Sequence, residues 1–512
     1  MSTHGVQSAS WLLGPYIGLP FVVFLENWHD IMIVCDFPNT RLRWVHVEKT
    51  NKTELILKGN IYKVLITLSI PIIINSLIQT LYNLADGVWV SKISSVHFAA
   101  TAFVWPVNFL FISIGMGLSI AGTSLLSQLI GNNDYERAKN YTAQLMVITV
   151  LSSFAFAALG YILSPYVIRL MGGTGDLASL GNIYLRITFL DLPFLFVFFN
   201  INSIMHSQGD TITPMILSGV SAIINVILDP IFIFTFGWGI AGAAWATLIS
   251  RVLLSVAGFF MLFGKRNKII PSFKGFTFDK KIVREIVTVG LPSTIGQSGA
   301  SLGFIVLNAF IGSYGTATLA AYAMVNRITS LIMQPAMGIG QALTTVVGQN
   351  VGARQMNRVK ESFYKALALT IVIGILGAGI LIVFDEPIIH FFMQSRDDLS
   401  VIELSLTYLF YVSLSMPLMG IFSVFTGLYQ GTGNTKYSMS MEIGRLWFVR
   451  LPMILFFKHL TTWGSTGIWF SMSFSNLIVC LYGYWVFARK GWQRSVLDLP
   501  GQKPDKTLSI AN

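Results

Sequence analysis

From Ile61 onward the chain repeats one pattern: a long apolar run, then a short break of Gly, Asn or charged residues such as Gly131-Asn132-Asn133-Asp134. A helix of about 20 apolar residues crosses the hydrocarbon core of a bilayer. Twelve runs meet that length, at about 61–83, 97–128, 141–164, 184–206, 214–236, 239–263, 282–311, 318–345, 363–384, 402–430, 436–457 and 463–488. They predict an all-α polytopic membrane protein with twelve transmembrane helices. Small residues are scattered through the runs, as in Gly115-Met116-Gly117 and Ala241-Gly242-Ala243-Ala244. Such residues let membrane helices approach closely, so the expected product is a compact bundle.

The two halves repeat each other. Leu68-Ser69-Ile70-Pro71 matches Val289-Gly290-Leu291-Pro292, and at the same offset Ala99-Ala100-Thr101-Ala102 falls on Ala320-Ala321-Tyr322-Ala323. Gln128 falls on Gln349, Gly131 on Gly352, Arg137 on Arg358 and Lys139 on Lys360. With a slightly changed offset, Pro193 matches Pro417 and Gly209-Asp210-Thr211 matches Gly433-Asn434-Thr435. Six spans is an even number, so both halves start on one side. The repeats are then parallel, related by an axis along the membrane normal, and such folds place a cavity between the halves. The expected organisation is two pseudo-symmetric six-helix lobes, 61–264 and 285–490, joined by a basic linker, 265–284, with a tail at 491–512.

Composition agrees. Of 512 residues 54% are hydrophobic and only 11% charged, against roughly 25% charged in soluble domains. That excludes a soluble enzyme, a disordered chain and a nucleic-acid binder, and it makes the lipid bilayer the partner. The net charge of +11 is topological. Lys265, Arg266, Lys268, Lys274, Lys280, Lys281 and Arg284 fill the linker; Arg354, Arg358 and Lys360 fill the connection after span eight; Arg489, Lys490, Arg494, Lys503 and Lys506 follow the last span. All three groups fall on one side, which the positive-inside rule makes cytoplasmic. The opposite connection after span nine carries Asp385, Glu386, Asp397 and Asp398 against Arg396. Both ends of the bundle are thus expected in the cytoplasm, in the cell membrane.

Residues 1–60 do not fit the pattern. Trp11 to Leu25 is apolar but short, and broken by Pro15 and Pro20. The segment is expected to be a poorly ordered extension; a re-entrant or interfacial segment is the alternative. Cys35 and Cys480 have no disulfide or metal spacing and are expected to be inert thiols. There is no P-loop, HExxH or GxSxG, so no enzyme is expected.

Ionisable residues inside apolar runs are the strongest functional pointers. Between Lys63 and Asp134 the only charges are Asp86 and Lys92; between Asp210 and Lys265, only Asp229 and Arg251. Tyr82 and Asp86 are four apart, as are Asn225 and Asp229, so each pair shares a helix face. Two carboxylates in a low-dielectric site suit a hard cation or a shared proton. End-capping or pairing with a basic residue is the alternative reading of each.

The chain resembles the MATE (multidrug and toxic compound extrusion) transporters, closest to the DinF-like branch, over about Asn51 to Lys490. The resemblance rests on Leu68-Ser69-Ile70-Pro71 with Tyr82-Asn83-Leu84-Ala85-Asp86 downstream, Ser127-Gln128-x-x-Gly131, Gln208-Gly209-Asp210-Thr211-x-Thr213-Pro214, Leu228-Asp229-Pro230, Gly242-Ala243-Ala244-Trp245-Ala246-Thr247 and Val347-Gly348-Gln349-Asn350-x-Gly352. It implies a monomeric multidrug exporter, driven by H⁺ or Na⁺ flowing inward and needing no other cofactor or metal. It also implies a cation site of Asp86, Tyr82, Asn225, Asp229 and Thr247, joined by Asn200 or Asn202, and a bend in the first helix at Pro71. A plain helix-start proline is the alternative for Pro71.

The second half departs from the sodium-dependent NorM-like members of that family, which carry acids on spans seven and ten. Here span seven has no carboxylate past Glu285, and span ten has only Glu403, near its start. Glu442 and Arg445, three apart, are expected to form a buried ion pair or line a cavity. Arg327 and Arg251 are read as paired, snorkelling or cavity-lining. Asp191 is either an end cap or an attractor for a cationic substrate. The 38 Phe, 19 Met and 12 Trp suit apolar organic cations but equally suit lipid contact. Two rival functions stand beside the exporter: a lipid-linked oligosaccharide flippase of the same superfamily, favoured by an Arg-dominated cavity, and an uncoupled channel or signalling membrane protein.

Overall fold

The structure, a computed structural model, describes residues 31–36, 41–46, 52–264, 267–393, 399–493 and 495–497. The described residues fall into two units, one within residues 1–51 and one within residues 52–512. In the first, Ile31–Asp36 (β1) pairs antiparallel with Arg41–His46 (β2), Ile31 opposite His46 and Asp36 opposite Arg41. This hairpin departs from the all-helical expectation. Arg41-Leu42-Arg43-Trp44-Val45-His46 alternates polar and apolar residues, the period of a strand. The remainder of residues 1–51 lies outside the described residues; of the extension 1–60 expected to be poorly ordered, residues 52–60 are instead folded, 52–58 of them as a helix with Ile56 buried.

The second unit is helical among its described residues. After α1 (Lys52–Lys58) come α2 (Ile61–Ser91), α3 (Ser95–Gly131), α4 (Tyr135–Leu170), α5 (Gly175–Ser207), α6 (Ile212–Pro230) and α7 (Gly239–Leu262). Then follow α8 (Lys280–Gly312), α9 (Thr316–Gly352), α10 (Met356–Val383), α11 (Asp385–Phe392), α12 (Leu399–Gly431), α13 (Thr435–Ile443), α14 (Leu451–Leu460) and α15 (Ser465–Ala488). Ten described helices are long and apolar enough to cross a membrane. The more polar α9, and α13 with α14, complete twelve spans. Two spans contain a wide π-type stretch, Ile231–Thr235 after α6 and Gly444–Arg450 between α13 and α14.

The helices outrun the apolar windows. Ser94 caps α3 by accepting from the His97 N–H, and α2 continues to Ser91. Asp86 therefore lies inside α2, not at its end. Pro71 likewise sits well inside α2, so it is not a helix-start proline. A proline there removes one intrahelical donor and crowds the preceding turn.

α2 to α7 form one lobe, in which α3 packs on α4 and α5, α2 on α6, and α5 on α7. α8 to α15 form the other, in which α12 packs on α9, α10 and α15. The lobes meet through α3 against α8 and α9, and α2 against α9. The closest approach is at the basic side. A Cβ on Gly131 would stand 1.9 Å from the Gln349 carbonyl oxygen, and one on Gly352 1.9 Å from that of Gln128. Only glycine admits such an approach between backbones. Gln128 Nε2 donates to the Gly431 carbonyl at 2.9 Å, and Gln349 Nε2 to the Ser207 carbonyl at 2.7 Å. Nearer mid-bundle, Gly338 packs on Ile73 and the hydroxyls of Ser113 and Ser298 meet. On the side of that pair away from the basic end no described hydrogen bond joins the lobes, and large side chains such as Leu84, Trp105 and Phe304 are exposed. The lobes thus enclose a cleft that is shut on the basic side and open on the other.

Both chain-terminal segments of this unit cross the closure. On α1, Ile56 is buried, Lys52 Nζ lies 3.0 Å from Asp210 Oδ1, and Arg358 Nε donates to the Ile56 carbonyl at 3.1 Å. Burial alone would raise the Asp210 carboxyl, but the Lys52 ammonium and donors from Thr213 outweigh it and hold the group below its ordinary value. At the other end Trp492 is buried in the second lobe's core and Leu497 in the first lobe's. Ser495 Oγ donates to Gln128 Oε1 at 2.6 Å. The described start of the expected tail is therefore folded; residues 494 and 498–512 lie outside the described residues.

Candidate functional site

The charges left inside the first lobe gather at one level. Tyr82 and Asp86 share a face of α2. The Tyr82 hydroxyl and Thr247 Oγ1, on α7, are hydrogen-bonded at 3.0 Å. Asn225 Nδ2 on α6 reaches Asp229 Oδ1 at 3.3 Å and Thr247 Oγ1 at 3.4 Å. Asn225 and Asp229 are fully buried. Asp229 feels the charge of Asp86 directly. Pro230 then ends the regular α-helix, and the chain continues into the wide stretch Ile231–Thr235. The two i, i+4 pairs, and the threonine that the family resemblance adds to them, are thus brought to one place.

Their acceptors are not all used. Asp86 Oδ1, Asp229 Oδ2 and Asn225 Oδ1 are buried without a hydrogen-bond donor. Buried acceptors normally have a donor, and leaving one bare costs about 1–3 kcal/mol. Three bare oxygens, two of them from carboxylates, form a ligand set for a hard monovalent cation or a proton acceptor pair.

Asp191 is neither an end cap nor a free attractor. It sits inside α5, almost wholly buried, and forms an ion pair with Arg251 of α7. Arg251 is also within electrostatic reach of Asp86 and Tyr82. It lies four residues from Thr247, on the same face of α7. Tyr184, which the sequence reading missed, lies within electrostatic reach of Asp86, Tyr82, Arg251 and Asp229. Its signal was the seven-residue spacing to Asp191, two turns along one face of α5. Asn200 donates to Thr149 Oγ1 on α4 at 3.2 Å, and Asn202 Oδ1 is buried without a donor. Neither is hydrogen-bonded to the carboxylates.

Among its described residues the second lobe holds no copy of this cluster. Glu442 and Arg445 attract each other, but among the described residues they make no direct ion pair. Arg445 stacks over the Phe422 ring at 4.3 Å, and Glu442 Oε2 lies against Gly296 of α8. Arg450, which sequence reading left without a role, is 4% exposed and donates to Ser475 Oγ, Asn476 Oδ1 and the Met472 carbonyl. Arg327 is exposed on α9. Beside it a cavity of about 480 Å³ is lined by Phe304, Asn308, Leu319, Tyr322, Ala323 and Asn326. Among the described residues no three His, Cys, Asp or Glu side chains gather as a metal site.

Twelve spans in two repeated lobes, a cleft open to one side and a buried polar cluster within one lobe define a two-lobed membrane transporter. The family model described as MatE matches residues 71–231 and 292–456, and the chain belongs to that family, whose members are transporters and not enzymes. It is 26% identical over 445 residues to the probable multidrug resistance protein YoeA of Bacillus subtilis strain 168, covering 85% of this chain and 95% of that one. It is 26% identical over 433 residues to the multidrug export protein MepA of Staphylococcus saprophyticus, covering 83% and 93%. Among solved structures it is similar to a MOP superfamily transporter from Pyrococcus furiosus, with TM-score 0.82, 27% identity and coverage of 88% of this chain and 100% of the other. A multidrug resistance MATE family transporter in an outward-facing conformation matches with TM-score 0.81, 28% identity and coverage of 86% and 98%.

Proposed function

We propose that this chain is a secondary active exporter of amphipathic organic compounds, driven by inward flow of H⁺ or Na⁺ through the Asp86–Asp229 cluster. The basic side is taken as cytoplasmic in the cell membrane, and the cleft then opens outward. One observation carries the reading: two electrostatically coupled carboxylates, Asp229 fully buried and Asp86 half-buried, each keep a buried acceptor oxygen with no donor. Entry of a cation or proton neutralises the pair and makes burial of a rearranged lobe favourable. Tyr82, Thr247 and Asn225 hold the carboxylates in register, and Pro71 supplies the weak point in α2. The printed names of the relatives, multidrug resistance and multidrug export proteins, support an organic cargo.

The test is export from proteoliposomes under separately imposed H⁺ and Na⁺ gradients. One gradient should drive export in the native protein, and Asp86→Asn and Asp229→Asn should each abolish it. Undiminished gradient-driven export in both variants would sink the proposal. The flippase reading gains if neither gradient moves any organic probe.

A further inference from the structure

The four helices lining the cleft carry few charges. α2 has Lys63 and Asp86, α3 has none of Asp, Glu, Lys or Arg, α8 has Lys280, Lys281, Arg284 and Glu285, and α9 has Arg327. Lys63 and the α8 group lie at the closed, basic end, and Asp86 turns into the first lobe. Arg327 is left as the one charge of these helices on the open part of the cleft, among the described residues.

Its direction follows from helix geometry. Arg327 and Gly338 are eleven residues apart, close to three turns, and so share a face of α9. Gly338 packs on Ile73 of α2, in the other lobe. Arg327 stands on the same face nearer the open end, where the lobes diverge, and therefore faces the cleft. Its guanidinium is exposed and has no acidic partner among the described residues. One turn further out on that face is Ala323, which lines the 480 Å³ cavity. A drug-sized ligand needs about 300–1,000 Å³. Phe304 and Tyr322 offer aromatic walls and Asn308 an exposed amide. The shape is rigid: Asn326 donates to the Tyr322 carbonyl and accepts from the Tyr408 hydroxyl, and Tyr322 stacks on Tyr408.

From this juxtaposition we infer that the second lobe's cavity is a substrate site selective for amphipathic aromatic compounds bearing a carboxylate. The ring system lies along Phe304 and Tyr322, and the carboxylate takes Arg327. A guanidinium matches a carboxylate with two parallel donors, a stronger and more directional contact than a point charge makes. The inference deepens the exporter reading and rests on it for direction of transport, but not for binding. It also separates the two ligands: the cation goes to acids inside the first lobe, and the organic anion group to a base on the second. Cargo and coupling ion then occupy different sites.

The experiment is equilibrium binding to detergent-solubilised full-length protein by fluorescence anisotropy. The probes are tetramethylrhodamine, which carries a free carboxylate, and its methyl ester, with the same ring system. The native protein should bind the acid about tenfold more tightly, the size of one charge-assisted hydrogen bond. Arg327→Gln should erase that preference by weakening the acid, while the ester, a cation with no carboxylate for the guanidinium, should bind no more weakly than before. Arg327→Lys should keep part of it, which a purely packing role would not produce. Equal affinity for the two dyes, no binding of either, or equal weakening of both by Arg327→Gln with no recovery in Arg327→Lys would overturn the inference. No gradient is applied, so failure of ion coupling cannot imitate any of these results.

Discussion

Gln128 and Gln349 hold matching positions in opposite lobes, and each donates its side-chain amide to a backbone carbonyl of the other lobe, Gly431 and Ser207 respectively. Beside each glutamine the partner lobe presents a glycine, Gly352 against Gln128 and Gly131 against Gln349. The internal repeat thus reappears as a reciprocal clasp. Since each amide spans the lobe interface, opening the basic side breaks both bonds together.

The clasp predicts what a small side chain does there. A Cβ at Gly131 or Gly352 would stand 1.9 Å from a backbone oxygen, which no side-chain rotation relieves. Gly131→Val or Gly352→Val should therefore hold the basic side open. Spin labels at positions 136 and 361, in a chain with both cysteines replaced by Ser, report the separation by double electron–electron resonance. A longer mean distance is expected for either variant, and an unchanged distribution would refute the clasp. Gln128→Ala with Gln349→Ala should shift the same distribution less, by the roughly 2 kcal/mol of two hydrogen bonds.

Within the candidate cation site the residues should differ in weight. Tyr82 and Thr247 meet through one hydrogen bond of 3.0 Å, worth about 1 kcal/mol. Tyr82→Phe should raise the half-saturating H⁺ or Na⁺ concentration by roughly five- to tenfold at unchanged maximal rate. Asp229→Asn should remove gradient-driven transport altogether. Equal defects in the two variants would mean that the hydroxyl and the carboxylate act as one ligand set with no such ranking.

The Asp191–Arg251 pair is a further point of test. Removing one partner of a buried ion pair leaves a bare charge and costs about 3–5 kcal/mol, whereas removing both is often near neutral. Arg251→Gln should lower the thermal midpoint followed by tryptophan fluorescence in detergent, and Asp191→Asn with Arg251→Gln should recover most of the loss. If the double variant is as unstable as the single one, Arg251 is holding Asp86 or Tyr82 in place as well, and its attraction to those groups becomes the larger effect.

Twelve spans were legible because apolar length is written directly in the chain, and the carboxylate cluster because charges in such runs are rare. The end-cap alternative for Asp86 falls because α2 runs on to Ser91 beyond the apolar window. The pairing of Asp191 with Arg251 spans two helices, so no local spacing announces it. Glu442 and Arg445 illustrate the opposite error. An i, i+3 contact assumes α-helical rotation, but the wide stretch starts at Gly444, between them, and Arg445 turns onto Phe422 instead. Arg450, not Arg445, takes the neutral acceptors of α15.

The tie between Lys52 and Asp210 sets the pH range in which the closure itself titrates. Asp210 lies in the connection between α5 and α6, and its carboxyl is held below the ordinary carboxylate value by Lys52 and Thr213 against the opposing effect of burial. A depressed acid stabilises the state in which it is depressed at every pH above its free value, about 3.9, and loses that contribution as pH falls through the depressed one. The contribution is therefore complete across the neutral range and disappears only in strong acid. Because Lys52 is 44% exposed, the tie is worth ~0.5 kcal/mol or less. The spin-label distance between positions 136 and 361 should then show no Asp210-dependent change from about pH 6 to 8, and Asp210→Asn should give the same small shift throughout that range. A distance change centred near neutral pH that vanishes in Asp210→Asn would overturn this account. One that persists in Asp210→Asn but vanishes in Asp86→Asn would instead place the proton-sensing step in the first lobe's buried cluster, remote from the clasp that responds to it.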